Sequence, residues 1–332
     1  MEAVIVAGGF GSRLRPLTDH LPKHLLPVAG EPFVAHQIAK LADAGVRRVV
    51  LATSYYADRF EPVLGDGSAY GIELEYVMED EPLGTGGAIR NAATALRGDD
   101  EPVLILNGDI LSGHDLEAQL AHHRRRGADV TLHLVEVDDA RPYGCVPTDQ
   151  EDRVTAFLEK SADPVSRQVN AGCYLFDPEV VAAIPAGEVV SVERDTFPDL
   201  LADGWHVSGY LQQAYWLDVG TPAALCRASA DIVTGVVSTP LYDTGPAESW
   251  VHRTAVVAPD ADLRAGTTIG PRARVEAGVV AEASVLSEGV VVESGASLHH
   301  SVLGRGVHVG ARAVLRDAAL GDETEVSAAP SA

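Results

Sequence analysis

Only three cysteines occur in 332 residues, Cys145, Cys173 and Cys226, an odd number containing no C-x-x-C pair. Neither a disulfide framework nor a thiolate zinc site is supported, and the three read as reduced core thiols. Basic residues are scarce too: 25 Lys and Arg face 48 Asp and Glu, a formal net charge of −23. That balance argues against nucleic acid as a partner. It also requires an anionic substrate to be captured by local groups and a divalent metal against the overall field. No apolar run reaches about 18 residues, and the N-terminus enters an apolar strand with no basic region or cleavage site, so neither a membrane span nor a leader is expected and the cytoplasm is the expected location. No Ser-His-Asp or Cys-His arrangement is visible. With 46% hydrophobic residues the chain can bury a core and is long enough for two domains.

What the chain does have is a dense connecting segment. Residues 7–27, AGGFGSRLRPLTDHLPKHLLP, follow an apolar run at 3–6 and hold three glycines, two arginines, one lysine and three prolines. Gly8, Gly9 and Gly11 permit positive φ and let a nucleotide approach main-chain N–H groups that can surround its phosphates. The planar guanidinium of Arg13 can grip two phosphate oxygens at once, whereas Lys23 offers a mobile point charge to one phosphoryl group. A P-loop would need Gly-Lys-Ser/Thr closing an eight-residue run, and a dinucleotide fingerprint a third glycine where Leu14 stands; both fail. A bare strand-to-helix turn has no use for Arg13, Arg15 and Lys23 together.

Apolar runs at 3–6, 49–52 and 103–106 alternate with helical patterns, and Val34, Ile38 and Leu41 line one face of a helix that Gly45 ends. This predicts a parallel α/β sheet whose ligands bind beyond the carboxyl ends of the strands, where residues 8–23, 81–87 and 107–109 would emerge. Residues 128–219 predict a mixed half, with strand-like runs at 130–137, 143–146, 154–158 and 169–176, and 222–237 predict a last helix. The run at 122–126, HHRRR, predicts the solvated end of a helix starting near Asp115 and stopped by Gly127. Aliphatic residues then recur every six: Val251, Val257, Leu263, Ile269 and Val275; Val280, Leu286, Val292 and Leu298; Leu303, Val309 and Leu315. Such a period suits a hexapeptide β-solenoid of roughly four coils, and neither an amphipathic helix nor a hairpin. The expected division is 1–237, a linker at 238–250, and 251–332 for the solenoid, with its open ends used in packing and self-association. His299, His300 and His308 read as ordinary turn or backbone-satisfied histidines.

The pattern G-G-x-G-S-R-L-x-P-L-T-x-x-x-P-K-x-x-x-P resembles the signature of the sugar-1-phosphate nucleotidyltransferases, and in particular that of the mannose-1-phosphate guanylyltransferases. Downstream, Leu83-Gly84-Thr85-Gly86-Gly87-Ala88, Phe157-Leu158-Glu159-Lys160, Asn170-Ala171-Gly172 and Trp216-Leu217-Asp218-Val219-Gly220-Thr221-Pro222 look like further segments of that family. The resemblance implies a Rossmann-like nucleotidyltransferase domain with a mixed sheet, followed by a left-handed β-helix. It also implies that a sugar 1-phosphate attacks the α-phosphorus of a nucleoside triphosphate, GTP with mannose 1-phosphate being favoured, and that pyrophosphate leaves. A phosphate monoester is already largely dianionic at neutral pH, so positioning and charge relief are the protein's task and no general base is required.

By carry-over, Arg13, Lys23 and Asp109 would be catalytic. Ala7, Gly8, Gly9, Gly11, Ser12, Arg13, Glu81, Gly84, Thr85 and Gly108 would line the nucleotide, with Thr85 also able to cap a helix. Gly144, Glu159, Lys160 and Asn170 would take the sugar phosphate, and Asp109 and Asp218 would hold Mg²⁺. His24 and Ser161 stand where relatives often carry proline. These departures keep other substrates open: a heptose or a cyclitol such as valienol 1-phosphate, or thymidylyl, uridylyl or adenylyl transfer to glucose 1-phosphate. A non-catalytic regulatory paralogue and a solenoid acyltransferase are the readings of other classes.

Overall fold

The computed structural model describes residues 1–54, 56–98, 101–160, 162–242 and 244–330; Ser161 lies outside them. The chain forms two compact units, Met1–Gly9 with Lys40–Trp216, and Phe10–Ala39 with Leu217–Ala332.

The first unit is built on a mixed nine-stranded sheet. Glu2–Val6 lies parallel to Arg48–Thr53 on one side and to Val103–Asn107 on the other, with Glu73–Met78 beyond Arg48–Thr53. Gln168–Phe176 continues the sheet antiparallel to Val103–Asn107 and to Val130–Glu136. The parallel strands are uninterrupted aliphatic runs because both faces are covered: Val4, Ile5, Val49, Val50, Leu51, Leu104 and Ile105 are fully buried. Having placed Glu73–Met78 on one flank, the chain returns to lay Val103–Asn107 on the other side of Glu2–Val6. The resulting switch in strand order opens a crevice at the carboxyl ends, where such sheets take their ligands. Among the predicted strands, the run at 154–158 shrinks to Leu158–Glu159, paired with Gly144–Cys145, plus a single bridge from Val154 to Thr148.

At the opposite ends of the same strands Arg48 is buried. Its guanidinium meets Glu2 at 3.4 Å and Glu73 at 3.3 Å, pairs closely with Glu75, and donates to the Ala95 carbonyl. Three carboxylates from the two flanking strands share one buried cation. Arg48→Met is therefore expected to lower unfolding stability by about 2 kcal/mol, because it removes the buried cation shared by Glu2, Glu73 and Glu75 and leaves the mostly buried Glu2 carboxylate without it. Glu73→Gln, at a half-exposed partner, should cost less than about 1 kcal/mol. Urea titrations of both variants check this ranking.

The helix Leu116–Arg126 is capped by Asp115, whose carboxylate accepts from Ala118 N, and ends at Gly127 in the left-handed region. Its basic end is solvated only in part. The three arginines are exposed, but His122 and His123 are buried, bonded to Ser208 at 2.9 Å and to Thr131 and Asp177 at 2.9 and 3.0 Å. Helical periodicity turns those two positions toward the sheet, which overrides the charge pattern. All three cysteines are free and buried, and burial pushes the Cys173 thiol up to about 12.

In the second unit, parallel strands from 249 onward form three sheets of five, five and four strands, consistent with a left-handed β-helix. It holds nearly five coils, more than the four expected, because the first strand, Ser249–Val251, and the last, Glu325–Val326, lie at the margins of the pattern. Coils after the first are one residue short of three hexads: Val285 pairs with Val302 and Val302 with Ala319. Of the two one-residue slips in the aliphatic pattern, the second, between Leu298 and Leu303, falls where the sequence puts it, whereas the first falls between Ala281 and Leu286 and not before Val280. Val279 and Ala281 point inward and Val280 outward, since successive strand residues face opposite ways. His299 faces Glu282 at 3.4 Å and His308 faces Glu293 at 3.0 Å, each across to a neighbouring coil, and His300 sits in a turn. The helix before the solenoid, Pro222–Val233, stops four residues earlier than predicted. No helix is long and apolar enough to cross a membrane among the described residues.

Candidate functional site

Four strand ends of the first unit meet at the crevice. Ala7 N donates to Ala52 O at 2.7 Å, Gly108 N to Val6 O at 2.9 Å, and Glu79 N to Thr53 O at 2.9 Å. Ser54 Oγ donates to Gly8 O at 2.7 Å, and a Cβ on Gly8 would lie only 3.0 Å from that hydroxyl. Gly8 is thus small for close approach and has no positive φ, and the same holds of the φ of Gly9. Of the three loop glycines only Gly11 takes the left-handed region, at φ +62°. Asp109 is half-buried directly after Gly108.

Glu79, absent from the sequence-derived set, borders this crevice. Its side chain is 8% exposed; Oε2 accepts from Leu83 N at 3.3 Å, and Oε1 has no hydrogen-bond partner among the described residues. A Cβ on Gly8 would lie 3.8 Å from Oε2, so the carboxylate stands between the glycine loop and the 83–87 loop. Burial raises its pKa above the ordinary 4.5, and the Leu83 N–H only partly opposes this. The folded protein holds that proton more tightly than the unfolded chain, so stability falls as pH rises from 4.5 through the raised value. Glu79→Gln should consequently melt at a higher temperature than the parent near neutral pH, with the gap closing as pH falls toward 4.5; thermal melts across that range check it.

The 83–87 loop is built differently from expectation. Thr85 does not cap the helix Gly84–Ala92; Leu83 holds that position without a side-chain bond. Instead Thr85 Oγ1 donates to Glu193 at 2.8 Å and accepts from Val192 N at 2.9 Å. Gly86 N and Gly87 N both donate to Val190 O, and a Cβ on Gly84 would sit 2.6 Å from the same oxygen. Those glycines admit residues 188–192, a packing role that local sequence does not reveal. Glu81 is exposed.

On the other flank, Glu159 pairs with Gly144 in the strand register, and a Cβ on Gly144 would come within 2.9 Å of Glu159 Oε2. Lys160 Nζ lies 3.6 Å from Glu159 Oε1 and is largely exposed. Asn170 donates to the Tyr174 hydroxyl at 2.8 Å and accepts from Gly172 N at 3.0 Å. Trp216 Nε1 donates to Ala171 O at 3.0 Å while its ring meets Tyr143 edge-on at 5.1 Å. Gly144, Glu159, Lys160 and Asn170 therefore share one strand cluster, walled by two aromatics that had not been singled out. Lys40 was also unforeseen. Its Nζ donates to Ser112 O at 2.7 Å and lies 3.3 Å from His114 Nδ1, bracing the short strand after Asp109, and burial pushes its pKa down to about 8.

In the second unit, Arg13 Nη2 lies 3.6 Å from Asp218 Oδ2, and a Cβ on Gly220 would overlap the guanidinium. Ser12 and Arg13 lie in the 3-10 turn Ser12–Leu14, and Lys23 opens Lys23–Leu25. Thr18 Oγ1 donates to Gly11 O at 2.9 Å, and a Cβ on Gly11 would lie 3.0 Å from Lys23 Cβ, which brings the two ends of the segment together. His24 is buried, so the departure at this position forms part of the core. Among the described residues no group of three or more His, Cys, Asp or Glu is placed to hold a metal ion.

Residues 2–235 match the family described as nucleotidyl transferase, and 246–330 match the GMPPB C-terminal domain. The chain is 50% identical to a mannose-1-phosphate guanylyltransferase of Mycobacterium tuberculosis over 88% of its own length and 81% of the relative's. It is 36% identical to a mannose-1-phosphate guanyltransferase of Emericella nidulans over 67% of this chain and 61% of that one. Among solved structures, HddC from Yersinia pseudotuberculosis complexed with GMP-PN aligns with TM-score 0.60 and 29% identity, covering 68% of this chain and 97% of HddC. A putative glucose-1-phosphate thymidylyltransferase from Bacillus anthracis aligns with TM-score 0.62 and 26% identity, covering 69% and 94%.

Proposed function

The chain belongs to the nucleotidyl transferase family, and from that premise we propose that it moves GMP from GTP to mannose 1-phosphate, releasing pyrophosphate. The observation that carries this reading is the 50% identity to a mannose-1-phosphate guanylyltransferase across most of both chains. Glu79 supports the choice of base. A carboxylate only accepts hydrogen bonds, and guanine alone of the common bases presents two adjacent donors, N1–H and the 2-amino group, on one edge. A buried acceptor left unpaired by the wrong base discriminates strongly.

In this reading Arg13 grips the leaving phosphates and Lys23 stands near the reacting phosphoryl group. Ala7, Gly8, Gly9, Gly11, Ser12 and Gly108 offer backbone to the nucleotide, and Glu81, Gly84 and Thr85 flank base and ribose. Gly144, Glu159, Lys160 and Asn170 receive the sugar phosphate. Nucleotidyltransferases of this family generally use a divalent metal. The donor set suits Mg²⁺: Asp109 follows one strand and Asp218 ends another, both offering the hard oxygens this ion takes. When bound, it would offset the negative charge of the phosphates. The domain limits 1–237, 238–250 and 251–332, self-association through the solenoid and a cytoplasmic site complete the proposal.

The test supplies purified protein and Mg²⁺ with GTP, ATP, UTP or dTTP, each against mannose, heptose, glucose and valienol 1-phosphates. GTP with mannose 1-phosphate should release pyrophosphate fastest; release from no pair would refute the enzyme reading.

A further inference from the structure

Residues 10–39, which carry Arg13 and Lys23, belong to the same compact unit as the solenoid, whereas the strand leading into them belongs to the other unit. We propose that the solenoid is a positioning element for the phosphate-handling segment, acting through Gly321 against Pro16 and Trp250 against Gly30. The proposal rests on the reading of Arg13 and Lys23 as triphosphate ligands.

Three contacts within the unit carry it. Near the C-terminal end of the solenoid, a Cβ on Gly321 would lie 3.2 Å from Pro16 Cβ and 3.5 Å from Pro16 O, so the coil touches the loop three residues after Arg13. Gly321 has no positive φ, which leaves this approach as the reason for a glycine. At the first coil, the Trp250 ring lies against Gly30, φ +89°, where a Cβ would come within 2.3 Å of Cη2. Gly30 forms the turn of the hairpin Pro27–Val28 and Glu31–Pro32, which is further tied by Ala29 N donating to Ser229 Oγ at 3.0 Å. His36 bridges Val28 O and Thr239 Oγ1, both at 2.9 Å.

The third contact works at one remove. A Cβ on Gly266 of the solenoid would come within 2.4 Å of Ala230 Cα in the helix Pro222–Val233. That helix starts at the Thr221 cap, directly after Gly220 and Asp218, the two residues that hold Arg13. Both ends of the segment and the partner of its arginine thus lean on the solenoid. A packed interior transmits displacement because it has no slack to absorb it.

The experiment uses the full chain with Gly321→Ala, Gly321→Val, Trp250→Ala and, as control, Val314→Thr on the exposed outer face. Amide hydrogen exchange and two-substrate kinetics are read on each. In Gly321→Val and Trp250→Ala, exchange across 10–39 should quicken while that of Val103–Asn107 stays at the parent rate. KM for GTP should rise about tenfold and KM for the sugar phosphate should hold, since displacements below about 1 Å are enough to cost this much. Gly321→Ala, which asks Pro16 to yield by only a few tenths of an ångström, should fall between parent and Gly321→Val and preserves the fold if the larger change does not. Parent-like exchange and parent-like KM for GTP in folded Gly321→Ala and Trp250→Ala overturn the inference. Quickened exchange with KM for GTP unmoved there and in Arg13→Ala supports the mechanical link and overturns the role given to Arg13.

Discussion

Asp109→Ala is expected to lower kcat by about 10³-fold or more while the unfolding temperature stays at that of the parent. The residue is half-buried after the strand Val103–Asn107, and Gly108 N–H, bonded to Val6 O at 2.9 Å, pins the turn that presents it. In the proposed reaction a carboxylate there would hold the cation where several negative phosphate oxygens come together. Losing a ligand of the cation that offsets them forfeits several kcal/mol of transition-state stabilisation, and each 1.36 kcal/mol is a factor of ten. Asp109→Asn keeps the volume and should lose nearly as much. Asp218→Ala should differ in kind: Asp218 also holds Arg13 at 3.6 Å, so KM for GTP should rise together with the fall in kcat. Steady-state pyrophosphate release against GTP and Mg²⁺ concentration separates the two. Asp109→Ala within about tenfold of the parent would remove Asp109 from the reaction.

Glu79→Gln is expected to cut kcat/KM for GTP by about 10²-fold and to abolish the preference for GTP over ITP, which lacks the 2-amino donor. Hydrogen bonds to a charged group contribute about 1.5–3 kcal/mol each, and an amide can accept only through its single carbonyl oxygen. Activity with ATP and UTP should hold or rise, because the acceptors those bases present no longer face a carboxylate. The same variant should be the more stable protein near neutral pH, since burial already raises the Glu79 pKa. Gain of stability with loss of guanine selectivity marks a group kept strained for function. An unchanged GTP-to-ITP ratio would refute this role of Glu79.

Part of the candidate site was legible as a pattern. Arg13 and Lys23 stand out because charge amid glycine and proline has little structural use in a turn, Asp109 and Asp218 became candidates only through the family resemblance, and the six-residue period pointed to a solenoid. Other residues were illegible for equally physical reasons. Glu79 sits in the acidic stretch Glu79-Asp80-Glu81, and nothing local distinguishes the member that the fold buries from those it exposes. Lys40 occupies a helix position that reads as solvated, until Ser112 and His114 arrive from more than seventy residues away. Thr85 looked like a cap because the sequence does not announce Glu193 and Val192, which take its hydroxyl.

The amino-acid sequence by itself determined the fold class and the coil period, and it proposed the phosphate-handling segment, all from short-range rules of residue size, charge and spacing. Tertiary structure alone decided which carboxylate of the acidic stretch is buried, which glycines serve approach instead of φ, and that residues 10–39 are braced by the solenoid. Burial and close contact are properties of chain segments far apart in sequence, and neither periodicity nor composition encodes which of them will meet.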